Sequence, residues 1–311
     1  EFNQTLGVDM SAESWGLVAV ANIQEEGNLY DNAFFSQAGI DGPFAAPNMI
    51  GIGQGQIDFA LDSDVFNHEL THYVSHNAVN YNASQIHGDE YGLSPWSGSI
   101  DEGISDYFAC TLNDDPILGE ATLGAFGVGR DLSDTSKTCP DDIRGEVHDD
   151  GELIGSYLWT IRGLLGAPRA YQLASSMVAM LPYGADFEDF ANALTLAADG
   201  MLEVGTIDAI EREAISAALA ERGLDSCSRE QPLLPGEPHS FPLLFGLELV
   251  GQLFGASCAE VKAAGVALPW LFHQVVTPAP GDAGVAFNVT MVKDGPGDLS
   301  WAVYVRKDAH V

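Results

Sequence analysis

His68-Glu69-Leu70-Thr71-His72 lies inside Val65 to His76, where apolar residues recur at three- and four-residue spacing, so the segment is expected to be a helix. On a helix, His68 and His72 stand one turn apart on the same face. Both imidazoles then reach one ion while Glu69 projects beside it. Two histidines alone do not complete a zinc site, which takes a third donor from another element. The chain is therefore expected to press a second helix against the first.

Ser99-Ile-Asp-Glu-Gly-Ile-Ser-Asp106 supplies that helix. Glu102 and Asp106 are four apart and share a face, so Glu102 can bind the metal while Asp106 accepts a hydrogen bond from the outer nitrogen of a ligating histidine. Two histidines and one glutamate leave the fourth tetrahedral position to water, as in catalytic rather than closed structural zinc sites. Glu69 is placed to take a proton from that water.

Around this pair of helices the pattern is α+β. Residues 1–62 mix short alternating runs with the glycine-rich Gly51 to Gln56, a short β-rich N-terminal lobe. Residues 63–227 form a helical lobe, with further helical periodicity over Glu146 to Leu165, Ala170 to Leu181, Phe187 to Ala198 and Thr206 to Arg222. Residues 228–242 hold four prolines and read as a linker. Residues 243–311, with strand-period runs at Trp270 to Val276, Gly284 to Val292 and Leu299 to Arg306, read as a small β-rich C-terminal unit.

Charge excludes some partners. With 45 acidic against 12 basic residues the net charge is −33, which argues against nucleic acid. The 46% hydrophobic content still provides for a core, and the most apolar stretch, Phe241 to Ala256, is broken by Glu248 and three glycines, so no membrane span is expected. The four cysteines, Cys110, Cys139, Cys227 and Cys258, form no CxxC pair and suit two disulfides. Their order favours Cys110 with Cys139 and Cys227 with Cys258, in an oxidising, secreted setting. His76 is expected on the polar surface.

The residues then show a resemblance. HELTH followed by Ile100-Asp-Glu-Gly-Ile-Ser-Asp-Tyr-Phe-Ala109 resembles the paired HExxH and ExxxD helices of the gluzincins, specifically the thermolysin-like zinc proteases and their relatives the fungalysins, over about residues 30–225. Further motifs follow in the family's order. Asp31 to Phe35 is similar to the edge strand that holds substrate main chain, implicating Asn32 and Ala33. Arg130 to Asp134 is similar to the segment whose arginine contacts the substrate carbonyl, implicating Arg130. Val147-His148-Asp-Asp-Gly151 resembles the VHxxG helix start, so His148 would stabilise the oxyanion. Asp101 falls at a polar position that supports the second histidine. Asp64 matches a calcium-ligand position, and with Asn113 and Glu120 it forms a candidate Ca²⁺ group.

The resemblance implies a zincin fold and a secreted, zinc-dependent endopeptidase that is a monomer acting on protein or peptide substrates. Two departures accompany it. The step from His72 to Glu102 is 30 residues, longer than the family's, so residues 77–98 carry an insertion in which Tyr81 and Tyr91 compete for the oxyanion role. The region before HELTH is short, either a reduced lobe or a chain that begins after a processing cut. The alternatives are a secreted binding or adhesion module that keeps a non-catalytic zinc, and a zinc aminopeptidase, which would need an acidic anchor for the substrate amine.

Overall fold

The computed structural model describes residues 16–25, 27–37, 48–78, 87–89, 92–232 and 273–275. The chain divides into two compact units, Glu1–Val275 and Val276–Val311, and the second lies wholly outside the described residues. So do Tyr81, Tyr91, Cys258, the apolar stretch Phe241 to Ala256 and the strands expected at Gly284 to Val292 and Leu299 to Arg306.

The first unit is mixed α+β. Strands β1 (Val18–Glu25), β2 (Asn28–Leu29), β3 (Ala33–Ser36) and β4 (Met49–Gly53) form a sheet in the order β2-β1-β4-β3. β1 and β4 run parallel and the outer pairs antiparallel, with Ala33 opposite Ile52 and Phe35 opposite Ile50. β4 is buried throughout, and a Cβ at Gly51 would meet Ile23 and Phe34 side-chain atoms at 2.6 Å, so the bare backbone lets its neighbours close over it. β3 is left at the edge of the sheet beside helix α1 (Ser63–Ala78), and Ala33, Ile50, Ile52, Phe59 and Val65 make the small core between them.

The larger core is helical. α2 (Trp96–Asn113) is buried from Trp96 through Cys110, as expected of a helix surrounded on all sides. It touches α1, α3 (Val147–Leu165), α4 (Ala167–Val178) and α5 (Phe187–Glu203), while α6 (Ala209–Glu221) packs on α3 and α5. Trp96 stacks on Phe187 at 4.7 Å between ring centroids. Capping boxes at Asp186/Asp189 and Asp208/Glu211 satisfy the first amides of α5 and α6.

α2 and α3 cross unusually closely because glycines meet there. A Cβ on Gly151 would lie 3.0 Å from the Ser99 carbonyl and 3.1 Å from Glu102 Cβ, and one on Gly155 would lie 3.1 Å from the Gly103 carbonyl. The crossing brings the N-terminus of α3, with His148, against Glu102.

Short two-stranded pairs complete the unit: β5 (His87–Asp89) with β6 (Gly92–Ser94), and β7 (Ile117–Leu118) with β8 (Arg130–Asp131). Within the segment read as a linker, β9 (Glu230–Pro232) pairs in parallel with β10 (His273–Val275). Among the described residues no helix is long and apolar enough to cross a membrane.

The expected disulfide pairing is corrected. Cys139 bonds to Cys227 across a sequence separation of 88, and Cys110 is a free thiol buried in the α2 core. Pairing by sequence order weighs only the cost of closing a loop. Here the packing of α6 decides: Cys139 N–H donates to the Arg222 carbonyl at 2.9 Å, bringing the loop before α3 to the chain just past α6, while Cys110 points into the interior.

Candidate metal centre

α1 and α2 carry the centre between them. His68 and His72, one turn apart on α1, bring their Nε2 atoms to 3.0 Å from each other. Glu102 of α2 closes the triangle, with Oε2 3.1 Å from His68 Nε2 and Oε1 3.7 Å from His72 Nε2. All three side chains are buried.

Each outer ring nitrogen faces a carboxylate from α2. His68 Nδ1 lies 2.8 Å from Asp106 Oδ1, and His72 Nδ1 lies 2.5 Å from Asp101 Oδ2 and 3.1 Å from Ser105 Oγ. With the protons on Nδ1, both Nε2 atoms present lone pairs to each other and to a carboxylate, which is repulsive unless a cation lies among them. Glu102 Oε2 is buried without a hydrogen-bond partner, as a ligand oxygen would be. Bonds of about 2.0–2.2 Å to a tetrahedral ion set its ligand atoms roughly 3.3–3.5 Å apart, close to the spacings found. The residues present therefore fit a metal ion, and His68, His72 and Glu102 are the one such group of three or more among the described residues.

The electrostatics agree. Burial opposes charge on His68, yet the Asp106 and Glu102 carboxylates beside it outweigh burial and push the imidazole up to about 9; His72 is likewise raised well above its ordinary value against burial, chiefly by the Asp101 and Glu102 charges. Glu102 is held well below the usual carboxylate range despite burial, by His148 and the two histidines, and Asp101 falls to about 2 beside His72. Whether the positive charge is protons or a metal ion, the site demands it.

Glu69 is 7% exposed, and burial raises its carboxyl while the adjacent histidines pull it down. The amide of Phe35 on β3 donates to this carboxylate, linking the edge strand to the centre. Ala33 is buried on that strand, and Asn32 is tied locally, its Oδ1 accepting from Ala33 N at 2.9 Å and its carbonyl from Gly53 N. His148 is the most exposed group at the centre, its side chain 47% exposed, with Nε2 3.5 Å from Glu102 Oε2. Arg130, on β8, donates from Nε and Nη2 to the two oxygens of Asp106 at 2.6 and 2.7 Å, so one carboxylate serves both the guanidinium and His68.

Three supporting residues escaped the sequence reading. Glu146 caps α3, accepting from His148 N and Asp149 N, and its Oε1 lies 2.8 Å from His148 Nδ1. Its signal was an acid directly before a helix start. Ser75 donates to Asp101 Oδ1 at 2.8 Å, and Ser105 meets His72; neither spacing carries a motif. The expected surface placement of His76 is corrected: its side chain is 13% exposed, with Nε2 3.5 Å from Asp101 Oδ2 and the ring edge-on to Phe35. It lies one further turn along the same buried face of α1, so it turns inward with His72.

The candidate calcium residues do come together, but they pair with one another. Asn113 Nδ2 donates to Asp64 Oδ1, Gly119 N donates to Asp64 Oδ2 at 3.2 Å, and Glu120 lies near enough to Asp64 for its carboxyl to be raised. Compared with known proteins, the chain matches no family model and no curated sequence.

Proposed function

We propose that this chain is a zinc-dependent endopeptidase of the thermolysin-like and fungalysin-like class, with a zincin catalytic unit. The observation that carries the reading is the convergence of His68, His72 and Glu102 with an unengaged ligand oxygen, flanked by a buried glutamate and a half-exposed histidine. His68, His72 and Glu102 would hold a zinc ion, which when bound would supply Lewis acidity and lower the pKa of a water molecule toward neutrality.

The chain's own groups supply the rest. Glu69, raised by burial, is the proton acceptor and later returns the proton to the leaving amine. His148, oriented by Glu146, donates to the oxygen that gains charge at the scissile carbonyl. Arg130, fixed by Asp106, contacts a substrate carbonyl, and the edge of β3 at Asn32 and Ala33 pairs with substrate main chain in the manner of an added strand. Extended peptides are thus the substrate class. The Cys139–Cys227 bond supports an oxidising, extracellular setting.

Hydrolysis of an internally quenched peptide by wild type and Glu69→Gln tests the reading. Wild type cleaves, and the variant loses about 10²–10⁴-fold in kcat while retaining its metal. Equal rates in the two proteins refute the assignment of Glu69.

A further inference from the structure

One partly buried residue beside the centre has no place in the scheme above. His76 lies one turn past His72 on α1, so three histidines in succession line the helix face that meets α2. Its Nε2 is 3.5 Å from Asp101 Oδ2, the same oxygen that His72 Nδ1 approaches at 2.5 Å, while Asp101 Oδ1 accepts from Ser75 at 2.8 Å. Asp101 is thereby held at three points from α1.

The tautomer follows from the partners. His76 Nδ1 is buried without a hydrogen-bond partner, so it is an acceptor left bare, and the ring proton belongs on Nε2, where it faces Asp101. A carboxylate on its own can swing about its last side-chain bond; with Ser75 on one oxygen and His76 on the other it keeps Oδ2 directed at His72. Phe35 packs edge-on against the His76 ring at 5.4 Å between centroids.

We propose that His76 is a positioning residue for metal binding: by holding Asp101 against His72 it fixes the imidazole in its ligating orientation and raises the affinity of the site for a divalent cation. The inference rests on the metal-site reading, and it concerns affinity rather than the peptidase chemistry. An outer partner that acts directly on a ligand changes affinity by about 10–100-fold, so a residue acting one step further away should change it by about 3–10-fold.

The test is competition between a chromogenic chelator and the metal-stripped protein for Zn²⁺, with the Co²⁺ absorption spectrum recorded in parallel, for wild type, His76→Ala and His76→Gln. His76→Ala is expected to bind Zn²⁺ about 3–10-fold more weakly and to shift the Co²⁺ bands, whereas His76→Gln, whose amide N–H reaches the Nε2 position, recovers most of the affinity. Thermal midpoints of the metal-free proteins separate this from a folding defect, because a positioning role predicts that the Gln variant rescues affinity whatever its midpoint. Wild-type affinity in His76→Ala, or an equal loss in both variants, overturns the proposal and leaves the metal site standing. Failure of the wild type to bind Zn²⁺ overturns both.

Discussion

Adding one methyl group at Gly103 should damage the centre from within the helix crossing that builds it. A Cβ there falls 2.7 Å from Ile154 Cβ and 3.0 Å from Gly155 N, and closer still to the Gly151 carbonyl oxygen. Backbone on both sides cannot turn aside as a side chain would, so α2 and α3 must separate by about 1 Å to restore ordinary contact. Overpacking of this kind costs about 1–3 kcal/mol, which at roughly 2–4 °C per kcal/mol for a unit of this size lowers Tm by about 2–12 °C. The functional effect should be larger than the stability effect. Glu102 precedes Gly103 on α2 and His148 begins α3, so the separation widens their 3.5 Å approach, and a misplacement of about 1 Å can cost on the order of 10²-fold in kcat. Gly163→Ala is the control on the partner helix α3: nothing lies within 4 Å of its Cβ position, so it should be neutral or stabilise by about 0.5–1 kcal/mol without touching kcat. Calorimetry and peptide hydrolysis on both variants check this. Wild-type stability and kcat in Gly103→Ala would refute the claim that the glycine contact sets the geometry.

Peptide mapping without reduction should recover Cys139 joined to Cys227 and Cys110 as a free thiol. Cys139→Ser should destabilise the protein by about 4–5 kcal/mol, the loop-closure value for 88 residues of separation, and equal stability with and without the bond would refute that. In the metal-free protein, His68 is raised to about 9, so the stability of its charged form is full below its ordinary 6.5 and is lost as pH rises through 9. Tm measured in chelator should therefore fall between pH 6.5 and 9, and a midpoint that rises across this window contradicts the pairing of His68 with Asp106 and Glu102.

Much of the centre was legible because it is helical and local. His68, Glu69 and His72 sit within one turn and a third, and Asp101, Glu102 and Asp106 within the next helix, where spacing alone fixes which side chains share a face. What spacing could not provide was the contact between elements. Pairing of Cys139 with Cys227 depends on where α6 ends against the loop before α3, and the inward turn of His76 brings it against Asp101 of α2 and Phe35 of a strand more than thirty residues earlier. Glu146 was read only as the flank of a helix start, because its second role appears once the cap geometry aims the carboxylate back at the His148 ring. The glycines of the α2–α3 crossing carry no signal in a single sequence beyond their helix-weakening cost.

Titration of zinc into the metal-stripped protein, with bound metal and peptide hydrolysis followed in the same samples, tests the central claim most directly. Activity should rise linearly to one zinc per chain and then level off, with His68→Ala, His72→Ala and Glu102→Ala each failing to retain the ion. Hydrolysis that persists in the stripped protein, or zinc retained after loss of His72 or Glu102, would contradict it.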